Sequence, residues 1–311
     1  MRLIFMGTPE FAVPSLEALA SAGHEILLAV TQPDRPVGRR AALTPPPVKL
    51  AAQALDIPVF QHERIRRREP REFLAAFSPD LFVTAAFGQI LSPRLLAIPR
   101  LGTVNVHASL LPKYRGPAPI NWAIVNGEKT SGITTMFSDE GIDTGKTLLR
   151  AETSIGQDEN AVELTRRLAQ LGAGLLVQTL EKLEGGCLAP QAQNEEEMSY
   201  FPMLKREDGA LDFSTSCEMV YNRVRGLNPW PGTFASTAYG QMKIYAAKKR
   251  PELSGEKGKV LRAFPKEGLI IACGSGAIEI TEMQLPGGKR LQAAEFLRGR
   301  PILAGEVFIK A

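Results

Sequence analysis

Two textures divide this sequence and predict its fold class. From the start to about residue 188, short apolar runs closed by glycine or proline alternate with segments whose apolar residues recur at helical spacing. From residue 208 onward, short strand candidates follow one another across glycine turns. The first texture predicts an α/β domain with a Rossmann-like, doubly wound and mostly parallel sheet, and the second a small OB-like β-barrel. At 311 residues the chain has material for two cores. The expected division is 1–188 for the first domain, 189–207 for a linker and 208–311 for the barrel.

The elements support this in order. "RLIFMG" is an apolar run stopped by glycine, and "TPEFAVPSLEALASAG" continues as a helix. "EILLAVTQ" is a second strand, "PVKLAAQALD" a helix and "IPVF" a third strand. "DLFVTAAFGQIL", "GTVNVHASLLP" and "SGITTMFSDEGIDTG" supply three more runs, each closed by turn residues. In "ENAVELTRRLAQLGAGLLVQTLEKLEGG", Leu164, Leu168, Leu171, Leu175 and Leu183 form a stripe on a long helix that Gly185 and Gly186 end. Residues 189–207 are polar and irregular, as a surface connection would be. "SCEMVYNRVRGL" is a short helix ahead of the strand-rich third.

Ligands of open α/β sheets bind beyond the carboxyl ends of the strands. On a parallel sheet, the polar ends near Phe87 and Gly88, Asn105 to Ser109, and Asp139 to Gly145 therefore gather on one edge. The first turn, "MGTPEF", has one glycine and lacks the GxGxxG spacing, which argues against a dinucleotide. Cys187, Cys217 and Cys273 are too scattered for a zinc site, so free thiols and no metal are expected. The start carries no cleavable leader and no apolar run reaches about 18 residues, which predicts a cytoplasmic protein without membrane attachment.

The net charge is +4, yet between Pro33 and Arg71 nine cations face four acids, so the remainder is about neutral. Localised positive charge suits nucleic acid; a solvated loop explains it equally well. If "TVNVH" is a strand, Thr103, Asn105 and His107 share one face. The glycine-rich acidic loop "DEGIDTG" adds Asp143. Alone, His107 reads as a core histidine and Asp143 as a turn cap. Together they supply an amide donor, a titratable ring and a carboxylate, without a GxSxG nucleophile. Such a set suits direct acyl transfer between two amines through a tetrahedral intermediate.

These segments carry a resemblance. "MGTPEFAVPSLEAL", "TQPDRPVGR", "NVHASLLPKYRGPAPINWAI", "DEGIDTG" and "LNPWPG" together resemble the methionyl-tRNA formyltransferases, within the wider group of enzymes that use 10-formyltetrahydrofolate. The resemblance implies an enzyme whose catalytic residues are Asn105, His107 and Asp143, with 10-formyltetrahydrofolate as co-substrate. It implies folate contacts at Ser109, Leu110, Leu111 and Pro112, and at Phe87, Gly88, Gln89, Ile90 and Leu91 around the pterin. It further implies that the basic insert, through Arg35, Arg39 and Arg40, meets the acceptor arm of initiator methionyl-tRNA. Ala108 stands where the family often has glycine, and Ile142 where leucine is frequent; neither change removes a reacting group.

The same trio would also serve formyl transfer to a sugar nucleotide or a purine precursor, which needs neither the basic insert nor the barrel. A nucleic-acid-binding protein that had lost catalysis would keep those two parts and lose the trio. "RIRRREPR", Arg64 to Arg71, fits an RNA footprint or a helix with internal Arg–Glu pairs. Lys113 and Arg115 fit the folate tail, the tRNA end or support of the following turn. A monomer is expected, since no strand reads as a long exposed apolar edge.

Overall fold

The computed structural model describes residues 1–38, 41–299 and 302–310. The elements of the first part are β1 (Arg2–Gly7), α1 (Val13–Ser21), β2 (Glu25–Thr31), β3 (Arg35–Val37), β4 (Ala42–Thr44), α2 (Pro47–Ala54), β5 (Val59–Gln61), α3 (Arg68–Ala76), β6 (Leu81–Ala85), α4 (Pro93–Leu96), β7 (Thr103–His107), α5 (Pro119–Val125), β8 (Thr130–Phe137), β9 (Thr147–Ser154) and α6 (Ala161–Glu184). The second part contains α7 (Cys217–Leu227), β10 (Thr233–Thr237), β11 (Gly240–Arg250), β12 (Val260–Phe264), β13 (Gly268–Ala272), β14 (Ala277–Gln284), β15 (Leu291–Gln292) and α8 (Ala293–Gly299). They form two compact units.

In the first unit seven strands lie in the order β5-β2-β1-β6-β7-β8-β9. The five from β5 to β7 are parallel, and their order reverses between β1 and β6. That reversal opens a crevice at the carboxyl edge. Near-continuous apolar runs fill the sheet, with Leu3 to Met6 and Leu81 to Val83 fully buried. One core joins Ile4, Met6, Val30, Phe82, Leu74 and Leu95. Opposite the catalytic candidates, α6 backs β7 and β8. Gly172 of α6 sits so close to Val106 that a Cβ there would lie 3.0 Å from its Cγ1.

The leucine stripe of α6 differs in detail from its sequence reading. Leu164, Leu168 and Leu175 are buried as expected, but Leu171 and Leu183 are only partly so, and Leu176 and Leu180 complete the buried face. The small residues Gly172 and Ala173 draw the helix onto the sheet along their own side. Thr135 of β8 and Thr179 of α6 seal the contact with a buried hydroxyl pair 2.8 Å apart.

The edge placement inferred from three consecutive strands also changes. Thr84 pairs with Asn105 in parallel register, so Phe87 to Leu91 and Ala108 to Pro112 do leave the same edge. β8 runs the other way: Val104 faces Phe137 and His107 faces Thr134. The connection, residues 108–129, returns to the edge it left instead of crossing the sheet. The 138–146 loop between β8 and β9 must therefore bring Asp143 to His107 by its own folding.

In the second unit the antiparallel strands run β10-β11-β14-β13-β12, with β15 against β14. Ser236 of the edge strand β10 bridges to Ile309, and Lys259 beside β12 bridges to Val307. One terminal segment thus occupies both edges, which would otherwise present unpaired backbone. Met242, Ile244, Leu269, Ile271, Ile280 and Met283 meet Val220 and Val224 of α7 in the core. Ser216 caps α7 by accepting from the Met219 amide. This unit also takes in 120–129 and 155–164. Asn121 donates to the Gly226 carbonyl at 2.7 Å, and Arg225 to that of Glu159 at 2.7 Å. The three cysteines are free thiols, and burial pushes Cys273 up to about 12.

Two glycines test this packing in opposite senses. A Cβ on Gly145 would lie 1.8 Å from the Phe137 carbonyl oxygen, while one on Gly174 in α6 meets nothing within 4 Å. Gly145→Ala is expected to lower unfolding free energy by about 1–3 kcal/mol, and Gly174→Ala to raise it by roughly 0.5–1 kcal/mol. Urea denaturation of the two variants measures both.

Candidate active site

Strand alternation places Val104 and Val106 toward one side of the sheet and Thr103, Asn105 and His107 toward the other. Thr84 on the neighbouring strand donates its hydroxyl to Asn105 Oδ1 at 2.8 Å. In this orientation the amide oxygen is used and the two N–H donors of Nδ2 are left without a partner among the described residues. A half-buried amide held with its donors free is suited to receive a developing oxyanion.

His107 is 6% exposed. Its Nε2 lies 2.9 Å from the Tyr114 carbonyl oxygen, which can only accept, so the proton sits on Nε2. Nδ1 then faces Asp143 Oδ1 at 3.4 Å. That distance exceeds the roughly 2.7–2.9 Å of a close charge-assisted bond, so the Nδ1 edge keeps room for another partner. An imidazolium, donating from both nitrogens, satisfies both neighbours. The other carboxylate oxygen of Asp143 accepts from the Gly116 amide at 2.9 Å.

The backbone around these groups is strained. Ala86, Tyr114 and Asp143 all adopt left-handed conformations, with φ of 45°, 60° and 56°. Such residues cost of order 1 kcal/mol or more and persist where their surroundings hold them. Gly116, at φ 108°, has no room for a side chain: a Cβ would lie 2.2 Å from the Phe201 carbonyl oxygen.

The segment Ser109 to Pro112 is a fixed turn. Thr134 on β8 donates to the Ser109 carbonyl at 2.7 Å and accepts from the Leu111 amide at 3.1 Å, while Ser109 Oγ donates to the Lys113 carbonyl at 2.6 Å. Phe87 to Leu91 leaves β6 on the same edge. The Phe87 carbonyl accepts from Thr8 at 2.9 Å and that of Gly88 from Gln32 at 3.1 Å, which ties this wall across the crevice to β1 and β2. Gln89 is engaged at both ends, accepting from the Ile65 amide and donating to the His62 carbonyl. Ile90 is 69% exposed.

The basic insert folds as a hairpin of β3 and β4. Arg35 pairs with Glu63 at 2.7 Å, with both side chains more than half exposed, a surface pair that an RNA phosphate can displace. Arg39 and Arg40 lie outside the described residues. In the Arg64 to Arg71 run, Arg68 pairs with Glu72 at 2.6 Å, while Arg64, Arg66 and Arg67 are exposed. Arg115, whose role the sequence left open, is 3% exposed and ion-paired with Glu195, so it supports the turn; Lys113 is exposed. Sequence reasoning did not single out Thr84, Tyr114 or Gly116. The only signal for them was their position in or beside the motifs: Tyr114 and Gly116 act through backbone groups that leave no mark in side-chain chemistry, and Thr84 reads as one more residue of a buried strand.

The Formyl transferase family model matches residues 1–180, and the model for the formyl transferase C-terminal domain matches 203–301. The chain belongs to the formyl transferase family. Methionyl-tRNA formyltransferase of Solibacter usitatus is 48% identical over 98% of both chains, and that of Geobacter sulfurreducens is 49% identical over 96% of this chain and 94% of its own. Among solved structures, HypX from Aquifex aeolicus in complex with tetrahydrofolic acid is 20% identical with a TM-score of 0.62, a likeness of fold. It covers 96% of this family member, which spans about half of HypX, 47%. No helix among the described residues is long and apolar enough to cross a membrane, and no group of three His, Cys, Asp or Glu among them could hold a metal ion.

The hairpin is rooted by Lys49, whose Nζ holds Asp34 at 2.8 and 2.9 Å; Gln61 Nε2 adds a bond to Asp34 at 2.8 Å. These bonds, that of Lys49 first, hold the Asp34 carboxyl below its ordinary value of 3.8. A depressed native value stabilises the fold above the unfolded value and ceases to do so as pH falls through the native one. Asp34→Asn is therefore expected to lower the thermal midpoint at neutral pH, with a difference from the parent chain that shrinks as pH drops below about 4. Calorimetry across that range checks the sign.

Proposed function

We propose that this chain transfers the formyl group of 10-formyltetrahydrofolate to the α-amine of methionyl-tRNA, the initiator species being its acceptor. The observation that carries this reading is the Asn105 amide, its N–H groups without a partner among the described residues, beside His107 and Asp143, in a chain nearly half identical to methionyl-tRNA formyltransferases along its length. Asn105 Nδ2 and, in the imidazolium form, His107 Nδ1 donate to the formyl oxygen as charge builds on it. Asp143, directly or through a water, accepts the proton that the attacking amine sheds. The amine adds to the formyl carbon and the carbonyl electron pair moves to oxygen; collapse of that tetrahedral intermediate breaks the bond to the folate nitrogen, which recovers a proton. No serine or cysteine need be acylated.

Ser109 to Pro112 and Phe87 to Leu91 form the folate walls, and the basic insert meets the acceptor arm of the tRNA through Arg35, Arg39 and Arg40. Residues 1–188 act as the catalytic domain, joined through 189–207 to a barrel of 208–311 that adds RNA contacts. The protein works as a cytoplasmic monomer. Formyl transfer to a sugar nucleotide or purine precursor has less support, since the relatives nearly half identical along the chain are named for methionyl-tRNA, while sugar N-formyltransferases resemble it at about 20% identity.

The deciding experiment offers labelled 10-formyltetrahydrofolate with methionyl-tRNA or with an amino-sugar nucleotide. Label is expected on the tRNA, and transfer to the sugar alone would refute the reading. Asn105→Ala is expected to lower kcat about 100- to 1000-fold. Reversing the charge of Arg64, Arg66 and Arg67 tests their part in tRNA binding. The slope of log affinity against log salt falls by about 1 for each phosphate these side chains no longer neutralise, and an unchanged slope assigns them to a solvated face.

A further inference from the structure

We infer that Gln193, in the segment after α6 that reads by composition as a connection, is a positioning residue for Asp143. Its Nε2 donates to two backbone carbonyls of the acidic loop, those of Asp143 and Gly145, each at 2.8 Å. Its Oε1 accepts from Arg115 Nε at 3.0 Å and from Nη2 at 2.9 Å. The orientation of a glutamine amide must be assigned from its neighbours, and here they leave one choice. A guanidinium only donates and a carbonyl only accepts, so the oxygen faces Arg115 and the two N–H groups face the loop.

Arg115 is itself constrained. It is 3% exposed, and a buried guanidinium needs pairing to offset its lost hydration. Glu195 supplies it with bonds of 3.0 and 2.7 Å, and these hold the Glu195 carboxyl below its usual range. The backbone of Arg115 is pinned to the same segment, donating to the Ser199 carbonyl at 2.9 Å and accepting from the Phe201 amide at 3.0 Å. Arg115 also stands between Tyr114, whose carbonyl holds His107, and Gly116, whose amide holds the Asp143 carboxylate. Residues 193–201 therefore strap the two halves of the site together: Gln193 holds the Asp143 backbone, and the Arg115 backbone fixes the groups that hold both side chains. Asp143 needs this support because its φ of 56° disfavours the turn on its own.

The inference rests on the reading of Asp143 as a reacting group. Its test is a mutant cycle of Gln193→Ala and Asp143→Asn in the full chain, with kcat, both KM values and thermal midpoints measured in formylation of methionyl-tRNA. Gln193→Met repeats the cycle with a side chain of similar length that lacks the two donors. Loss of positioning predicts a fall in kcat of roughly tenfold to a hundredfold, KM values near those of the parent and no further loss in the Asp143→Asn background. Losses that multiply in the double variant, or an undiminished kcat in Gln193→Met, overturn the inference while the role of Asp143 stands. A fully active Asp143→Asn overturns the reading of the site and this inference with it.

Discussion

The three-residue backbone from Tyr114 to Gly116 is the constraint on which the site depends. Its first carbonyl accepts from His107 Nε2, and its last amide donates to the Asp143 carboxylate. A histidine at the end of a parallel strand and an aspartate in a loop after an antiparallel one have no reason of secondary structure to meet. They meet because one rigid stretch of chain offers an acceptor to one and a donor to the other. That stretch is tied in turn to the Ser199 to Phe201 backbone, where Gly116 leaves space that any side chain would fill.

Most of what surrounds this constraint is conventional packing. The parallel sheet buries apolar runs on both faces, and its reversal between β1 and β6 opens the crevice where Phe87 to Leu91 and Ser109 to Pro112 emerge. α6 braces the reverse side of β7 by a glycine contact and that of β8 by a threonine pair. Rigidity there matters to chemistry, since donors aimed at a developing oxyanion are effective to the degree that they need not reorganise. Thr84 does this for Asn105 with a single hydroxyl.

Much of the fold was legible because its signals are periodic. Strand alternation in "TVNVH" puts Asn105 and His107 on one face, and the glycine-closed runs mark the strands of both units. The direction of β8 was not legible, because an apolar run looks the same whichever way it lies, and residues 108–129 are long enough to serve either direction. The face of α6 was misread at Leu171 and Leu183, since small residues, which set how closely helices approach, carry no hydrophobic signal. The role of residues 193–201 was hidden for a related reason. Polar residues that hydrogen-bond the chain's own backbone have the composition of a solvated linker, and Gln193 differs from a surface glutamine only in what lies within 3 Å of it.

The central claim is that Asn105, His107 and Asp143 converge on one formyl group. A crystal structure with a stable analogue of 10-formyltetrahydrofolate tests it most directly. The account predicts the formyl oxygen within about 3 Å of Asn105 Nδ2, with the pterin against Phe87 to Leu91 and Asp143 facing the side open to an amine. An analogue seated elsewhere, or bound in the crevice with its formyl group turned away from Asn105 and Asp143, would contradict it.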